Sequence, residues 1–410
     1  MTTTNTSTTN FNQTVVALVQ KRLEELLRAP LPHLAPGNFR PAKFVPGTNN
    51  TMRFINIADM SVVAGTVSAG TPPWLTEGVT PTAEGLTLGY EEFSAAQAGR
   101  LLTLTDLGML ESPFDLMAEA ANRVARNAIA TADKRVAEVL ITGTNVIYAN
   151  GATSSTTFPL GASPLTGALV KRAVALLQAG LVPTFPDGTY HAIVHTGSIF
   201  DLQSDTAVGG WIDAARYAGA RQLMSGELGE YAGVRFQSSA VAGQKLATVG
   251  TVALPTVTGT AATDLINSTA HGLSAGMRVK LTGLTGGVGL VSGTVYYVVG
   301  PVTANTFKVA LTPNGTPIDI TTDLTAVTTP VQVYDVNSTT IFGPESYAFG
   351  DWTGIQTFFT PPGGPGDELH QRASVGWKGF FGAVIIGQGT NATNVSPPRY
   401  IRIESVNPIS

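Results

Sequence analysis

The chain has 410 residues, beyond the size at which one hydrophobic core stops growing, so at least two cores or a domain with an insertion are expected. With 43% hydrophobic and only 13% charged residues, against a usual charged share of about 25%, much of its surface is expected to be buried against partners. A net charge of -4 disfavours tight gripping of a nucleic-acid backbone, and the lack of cysteine excludes disulfides, thiolate metal sites and cysteine nucleophiles.

Residues 2–10 are Thr, Asn and Ser only, and Val15, Leu18, Leu23, Leu26 and Leu27 follow in a short helical pattern. Pro30, Pro32, Pro36, Pro41 and Pro46 then recur too often for a helix and leave an extended connector. Residues 1–50 therefore read as an N-terminal arm. The first residues lack the basic region and apolar core of a secretory signal, and apolar runs such as 383–386 are too short to span a bilayer. A cytosolic protein without a membrane partner is expected.

Strand character over 51–66 and 86–105, with the Gly/Pro/Thr-rich stretch 70–85 between, predicts a long two-stranded excursion. Ser112-Pro113-Phe114-Asp115 predicts a helix start, with Ser112 as N-cap and Pro113 at the first helical position. The helix is expected over about 113–142, ended by Gly143. Met117, Ala121, Val124, Ala128, Ala132, Val136 and Val139 mark its core face, and Glu119, Arg123, Arg126, Lys134 and Glu138 the opposite one. A second helix over 166–179, a strand over 190–195 and a helix from near Ser198 give a mixed α+β region up to about residue 240.

Between 248 and 333 charged residues are sparse, helical periodicity is absent and Gly and Thr recur, which predicts a small all-β unit. Met277, Val279 and Leu281 alternate with polar residues, and strands are expected over 294–299 and 306–311. α+β character is expected to resume near Gln332, and 373–386 and 400–406 close the chain as strands.

Catalysis needs titratable groups gathered in a cleft, yet His33, His191, His195, His271 and His370 are scattered along the chain. His191 and His195 have the spacing of a helical zinc pair, but Ala192-Ile193-Val194 between them favours a strand, which separates them by roughly 13 Å. Asp367, Glu368 and His370 after the Pro/Gly run 361–366 read as a solvated loop rather than a metal or general-base site. Gly287-Val288-Gly289 reads as a hairpin turn, since no helix follows to face a phosphate. No catalytic, cofactor-binding or metal residue is assigned, and no enzyme is expected. Arg123, Arg126, Lys134 and Arg135 are interspersed with Glu119 and Glu138 at ion-pair spacing, which favours a solvated or subunit-facing surface over a nucleic-acid site.

The order of parts, flexible arm, long hairpin, spine helix, mixed domain and closing strands, resembles a tailed-phage major capsid protein. Leu75-Thr-Glu-Gly-Val-Thr-Pro81, Leu104-Thr-Asp106, Gly143-Thr-Asn-Val-Ile-Tyr148, Gly209-Gly-Trp-Ile-Asp213 and Gly226-Glu-Leu-Gly-Glu-Tyr-Ala-Gly233 are similar to segments of the N-four-type coat proteins. So are Arg372-Ala-Ser-Val-Gly-Trp-Lys-Gly-Phe-Phe381 and Arg402-Ile-Glu-Ser405. The resemblance implies an α+β, Hong Kong 97-type capsid fold with N-arm, extended loop, spine helix, and peripheral and axial domains. The capsid core would cover 51–247 and 334–410, with the extended loop at about 66–100 and its tip at 70–85. The small all-β domain at 248–333 departs from the pattern as an insertion, expected to project outside the shell.

The resemblance further implies an icosahedral shell of hexamers and pentamers that encloses phage double-stranded DNA and touches it weakly and nonspecifically. It implies location in the virion capsid after assembly in bacterial cytoplasm, with no cofactor, and with a decoration protein and a portal as further partners. Two alternatives share some features: a cargo-holding nanocompartment shell and an extracellular glycan-binding adhesin, the latter suggested by the Thr/Gly-rich β-module. For assembly contacts, Trp74 near the loop tip is the candidate apolar anchor, with Glu77, Arg100 at the loop base, and Arg123 and Arg126 on the helix as candidate polar contacts.

Overall fold

The computed structural model describes residues 32–35, 37–43, 51–57, 77–78, 80, 88–112, 115–205, 207, 227–239, 250–363, 367, 369–387 and 398–406. In chain order these form β1 (Arg40–Lys43), β2 (Thr51–Ile57), β3 (Leu88–Ser94) and β4 (Ala96–Thr105), then helices α1 (Asp106–Glu111) and α2 (Leu116–Ile141). Next come β5 (Val146–Tyr148), α3 (Gly167–Ala179), β6 (Tyr190–His195), α4 (Thr196–Gln203), β7 (Glu227–Tyr231) and β8 (Val234–Ser239). They are followed by β9 (Gly250–Ala253), β10 (Val257–Thr260), β11 (Leu265–Ser268), β12 (Arg278–Gly286), β13 (Val295–Val299), β14 (Thr306–Ala310) and β15 (Leu324–Tyr334). The last strands are β16 (Val336–Phe342), β17 (Tyr347–Asp351), β18 (Gln356–Thr360), β19 (Arg372–Ile385) and β20 (Tyr400–Val406). The chain divides into two compact units, one of residues 1–144, 179–183 and 343–399, the other of 145–178, 184–342 and 400–410.

In the first unit the 26-residue helix α2 runs roughly 39 Å at 1.5 Å per residue. Its buried stripe is built largely of alanine: Ala121, Val124, Ala128 and Ala132 lie against Val375, Trp377 and Phe381 of β19. Small side chains let the helix axis approach the sheet closely, and Trp377 fills the space that remains. The Trp377 indole N–H donates to Asn127 Oδ1 at 3.0 Å, so the one polar atom of the ring is satisfied. The sheet itself has the order β1-β17-β19-β18, with β4 also on β19, paired antiparallel from Arg372↔Thr105 to Phe381↔Ala96. β1 joins β17 in parallel at the margin, a position that tolerates Pro41, which has no N–H to give a central ladder.

Two expectations at the helix start are corrected. Ser112 is not the N-cap of α2: it ends the short helix α1, and Asp115 caps α2, its Oδ1 accepting the N–H groups of Met117 and Ala118 at 3.1 Å each. A carboxylate beats a serine hydroxyl here because it also meets the positive end of a long helix dipole. Nor is 86–105 one strand. It breaks at buried Ala95, so that β3 pairs with β2 in a separate two-stranded sheet while β4 pairs with β19. The remainder of 51–66, and all of the expected tip 70–85 but residues 77–78 and 80, lie outside the described residues. α2 ends at Ile141 with Thr142 as its C-cap, so Gly143 follows directly, the position at which a glycine commonly stops a helix.

One polar residue sits on the buried side of α2. Asp133 accepts the backbone N–H of His33 at 3.2 Å through Oδ1, and its Oδ2 lies 3.0 Å from His33 Nδ1, with both side chains buried. The Tyr347 hydroxyl donates to the carbonyl of His33 at 2.6 Å, and burial together with the nearby Asp133 charge pushes that phenol well above its ordinary pKa. Residues 32–35 are thus fixed to the helix by polar contacts that a proline-rich connector would otherwise lack.

In the second unit a six-stranded sheet has the order β5-β20-β16-β6-β8-β7, with α3 and α4 supplying buried Val170, Ala173, Leu177 and Leu202. Its centre, β16 beside β20, is buried along the whole of both strands. The same unit holds β9 to β15 in the order β10-β11-β14-β13-β12-β15-β9, and an added β10–β15 pairing closes six of these strands into an antiparallel barrel. Closure removes exposed strand edges. Val257, Ile266, Val279, Leu281, Tyr296 and Phe307 fill its interior. Gly289, at φ +113°, lets the loop after β12 run against the Asp319 carbonyl, where a Cβ would collide, so Gly287-Val288-Gly289 is a turn as its spacing predicts. Gln332 on β15 exchanges hydrogen bonds with the backbone of Gly161 at 2.9 and 3.1 Å, and Arg278 pairs with Asp335 at 2.9 Å, tying the barrel to the rest of its unit.

After Gln332 the chain returns to the mixed α+β part: β16 and β20 join β6 and β8 in the six-stranded sheet, and the described residues from 336 to 406 add strands and no helix. β16, β17 and β18 carry too many polar or aromatic residues in short runs to announce themselves by alternation.

Replacing Asp133 with alanine leaves the His33 N–H and imidazole buried without an acceptor, so unfolding of the purified chain in urea is expected to become easier by about 2–3 kcal/mol. Leu311→Ala, at an exposed position in the second unit, serves as a control expected to shift the same transition by less than about 0.5 kcal/mol.

Candidate assembly surfaces

The face of α2 turned away from β19 is polar. Arg123 Nε lies 3.0 Å from Glu119 Oε1, and Lys134 and Arg135 approach Glu138 at 3.9 Å, so the ion-pair spacing in the sequence is realised. Exposed pairs of this kind contribute little to folding. Glu119, Asn122, Arg123, Arg126, Asn127 and Ala130 line an open groove of about 410 Å³. Among the described residues Arg126 has no carboxylate within ion-pair distance, and neither has Arg100, which is exposed on β4 opposite Trp377. Glu77 is exposed in a turn. Trp74 lies outside the described residues. Of the five candidate contacts, then, Arg123 and Arg126 share one groove.

The sequence reading missed the apolar part of this unit's surface. α1 buries none of its residues, and its Leu107 and Leu110 are 60% and 82% exposed. Leu369 is 78% exposed in the loop before β19, and the bond from Asp106 N–H to the Gln371 carbonyl at 3.0 Å brings that loop to the start of α1. The three leucines therefore lie on α1 and on the loop before β19, the two segments that leave one end of the β4–β19 ladder. The signal was present as two leucines three residues apart in a short segment, but it is indistinguishable from the end of a buried strand.

The polar clusters weighed as chemistry have structural explanations. His191 stacks on Phe185 with ring centres 3.8 Å apart, and its Nε2 is 3.3 Å from Asp187 Oδ2, which also faces Arg235 at 3.6 Å. Burial raises the Asp187 pKa, but hydrogen bonds from Thr189 and His191 outweigh it and hold the carboxyl below its ordinary value. His195 caps α4, its Nδ1 accepting from the N–H of Gly197 at 3.2 Å, and burial lowers its pKa. Asp367 accepts the N–H groups of Gly363, Arg372 and Gln371, which hold its pKa down. Glu368 lies outside the described residues. Among the described residues no three His, Asp or Glu side chains gather in a metal-binding group, and no helix is long and apolar enough to cross a membrane.

Asp201 on α4 is different, because it is buried with few compensating contacts. Desolvation raises its pKa to about 6, and the single N–H of Leu165 at 3.4 Å only partly opposes that shift.

By structure, the chain is similar to the capsid of Ralstonia phage GP4, with a TM-score of 0.52 and 11% identity over 90% of this chain and 87% of that one. It is also similar to the head of Helicobacter pylori bacteriophage KHP40 (TM-score 0.48, 11% identity, 89% and 87% coverage) and to the capsid of cyanophage P-SCSP1u (0.47, 10%, 89% and 85%). By sequence, no protein-family model and no curated protein matches. The likeness to the GP4 capsid, nearly complete in both chains, shows the fold: this is a mixed α+β chain with the Hong Kong 97-like architecture of phage capsid subunits.

A group whose folded pKa is raised binds its proton more tightly in the folded state. The stability due to the Asp201 proton is therefore complete below about pH 4 and is lost as pH rises through about 6. Asp201→Asn, which keeps an acceptor for Leu165, is expected to raise the thermal midpoint at pH 7.5 and to leave it nearly unchanged at pH 4; an equal effect at both pH values would contradict the assignment.

Proposed function

We propose that this chain is the major capsid protein of a tailed bacteriophage, of the N-four-type coat family. Its copies form hexamers and pentamers of an icosahedral shell around double-stranded DNA. The observation that carries this reading is the end-to-end structural likeness to a phage capsid subunit, supported by the order of parts along the chain. The chain acts by assembly and not by catalysis, in the virion, after being made in the bacterial cytoplasm.

In this reading residues 1–50 are the arm, 51–247 and 334–410 the capsid core, and 248–333 an inserted β-domain. The closed barrel of β10 to β15 supports the last of these, since a barrel with its own interior adds to a fold without disturbing the host sheet. We place it on the outer surface, where a lattice leaves room, as a site for a decoration protein; a portal is a further partner. DNA is touched weakly, consistent with a net charge of -4.

Assembly rests on surfaces that the chain cannot satisfy alone. Leu107, Leu110 and Leu369 each gain about 1.5–3 kcal/mol when covered, which single copies forgo and a neighbour supplies. Glu77, Arg100, Arg123 and Arg126 add polar contacts that select register, and Trp74 is the anchor of the extended loop.

Electron microscopy of the purified full-length chain is expected to show closed shells or rings of five and six. Co-purifying DNA separates a viral coat from a nanocompartment, which holds protein instead, and a monomer that binds glycans would overturn the capsid reading. Leu110→Asp is expected to raise the concentration needed for assembly by 10-fold or more while leaving the circular dichroism spectrum unchanged, since about 1.4 kcal/mol per contact corresponds to a factor of ten.

A further inference from the structure

Every residue of β16, Val-Asn-Ser-Thr-Thr-Ile-Phe, is buried, although four of the seven are polar. Buried polar groups in folded proteins are hydrogen-bonded, to protein or to ordered water. Asn337 and Thr339 depart from this within the chain: both are wholly buried, and Asn337 Oδ1, Asn337 Nδ2 and Thr339 Oγ1 have no protein partner. Residues two apart on a strand face the same way, so these atoms share one side of the sheet.

The ladder shows where they lie. β16 pairs with β20 along its full length but with β6 only at Thr340, Ile341 and Phe342. β6 continues to His195 on its other partner, β8, and then turns into α4. The two strands therefore part company beside Thr339 and Asn337, leaving a fork roofed by the first turn of α4. Ser405, directly opposite Asn337, faces the same side, and its Oγ lies 3.4 Å from Oγ of Ser198 on α4.

We propose that this fork is a hydration site, holding ordered water that joins Asn337 and Thr339 to the Ser198–Ser405 hydroxyl pair. The donor set favours water over an ion. An amide and three hydroxyls offer donors and acceptors in similar number, as a water molecule requires, and bring neither the carboxylates a hard cation selects nor the positive charge an anion needs. The buried carboxylate of α4, Asp201, is directed to the N–H of Leu165. The bound water connects β16 to α4.

The test is a cryo-electron microscopy reconstruction of particles assembled from the full chain, at a resolution that reveals ordered water. Peaks about 2.7–3.2 Å from the Asn337 amide and from Thr339 Oγ1 are expected. An Asn337 amide turned onto a protein group, with no peak in the fork, overturns the proposal. Thermal unfolding of Thr339→Val gives an independent reading that needs no particle. A hydrated fork loses a water bond, and the midpoint is expected to fall by about 2–4 °C. A dry fork loses only an unsatisfied hydroxyl at constant shape, so a midpoint that rises or stays unchanged also overturns the proposal.

Discussion

The packing of an alanine-rich helix face on β19 is the constraint from which the first unit follows. Ala121, Ala128 and Ala132 bring α2 close to the sheet, Trp377 fits the resulting gap, and its indole N–H finds Asn127 on the same helix. Because β19 also carries β4, β17 and β18, and β17 carries β1, the position of one strand against one helix sets the register of four others in turn. A larger residue in the alanine stripe would have to move the helix or the strand, and dense interiors yield little.

The second unit is organised around the continuity of β15 and β16, separated only by Asp335. β15 belongs to the barrel and β16 to the centre of the six-stranded sheet, so one stretch of backbone serves two hydrophobic interiors. Arg278 and Gln332 clamp the junction from the barrel side. The sheet accepts an unusual polar content at its centre, including the buried pair of Arg402 and Glu404 at 2.6 Å. Such a pair adds little net stability after desolvation. Its value lies in register, since a slip of one residue would turn both charges to the other face of the sheet.

The outer surface of the first unit shows the opposite economy. Its helix face is balanced by short-range ion pairs, while the leucines of α1 and of the loop before β19 are left in water. A low charged fraction makes sense for a chain whose surface is destined for neighbours, because each buried charge would cost desolvation at every repeated contact.

Several features were determined by the sequence alone. The periodicity of α2 and α3, the strand 190–195, the alternation at Met277, Val279 and Leu281, and the long closing strands are local patterns whose physics is complete within a few residues, and the structure places elements there. The order of those parts also carried the capsid resemblance, and with it the fold. Other features were decided only by tertiary structure. Whether Ser112 or Asp115 caps the long helix depends on α1 ending where it does. Ala95 breaks a strand because two different partners compete for the backbone on either side of it. β16 is a central strand despite its Asn, Ser and Thr residues because β20, β6 and α4 enclose it. Asp133 is buried because His33, 100 positions away, supplies its partners. In each case the deciding contact is distant in sequence, and no local pattern encodes the free energy of a partner that arrives only when the chain has folded.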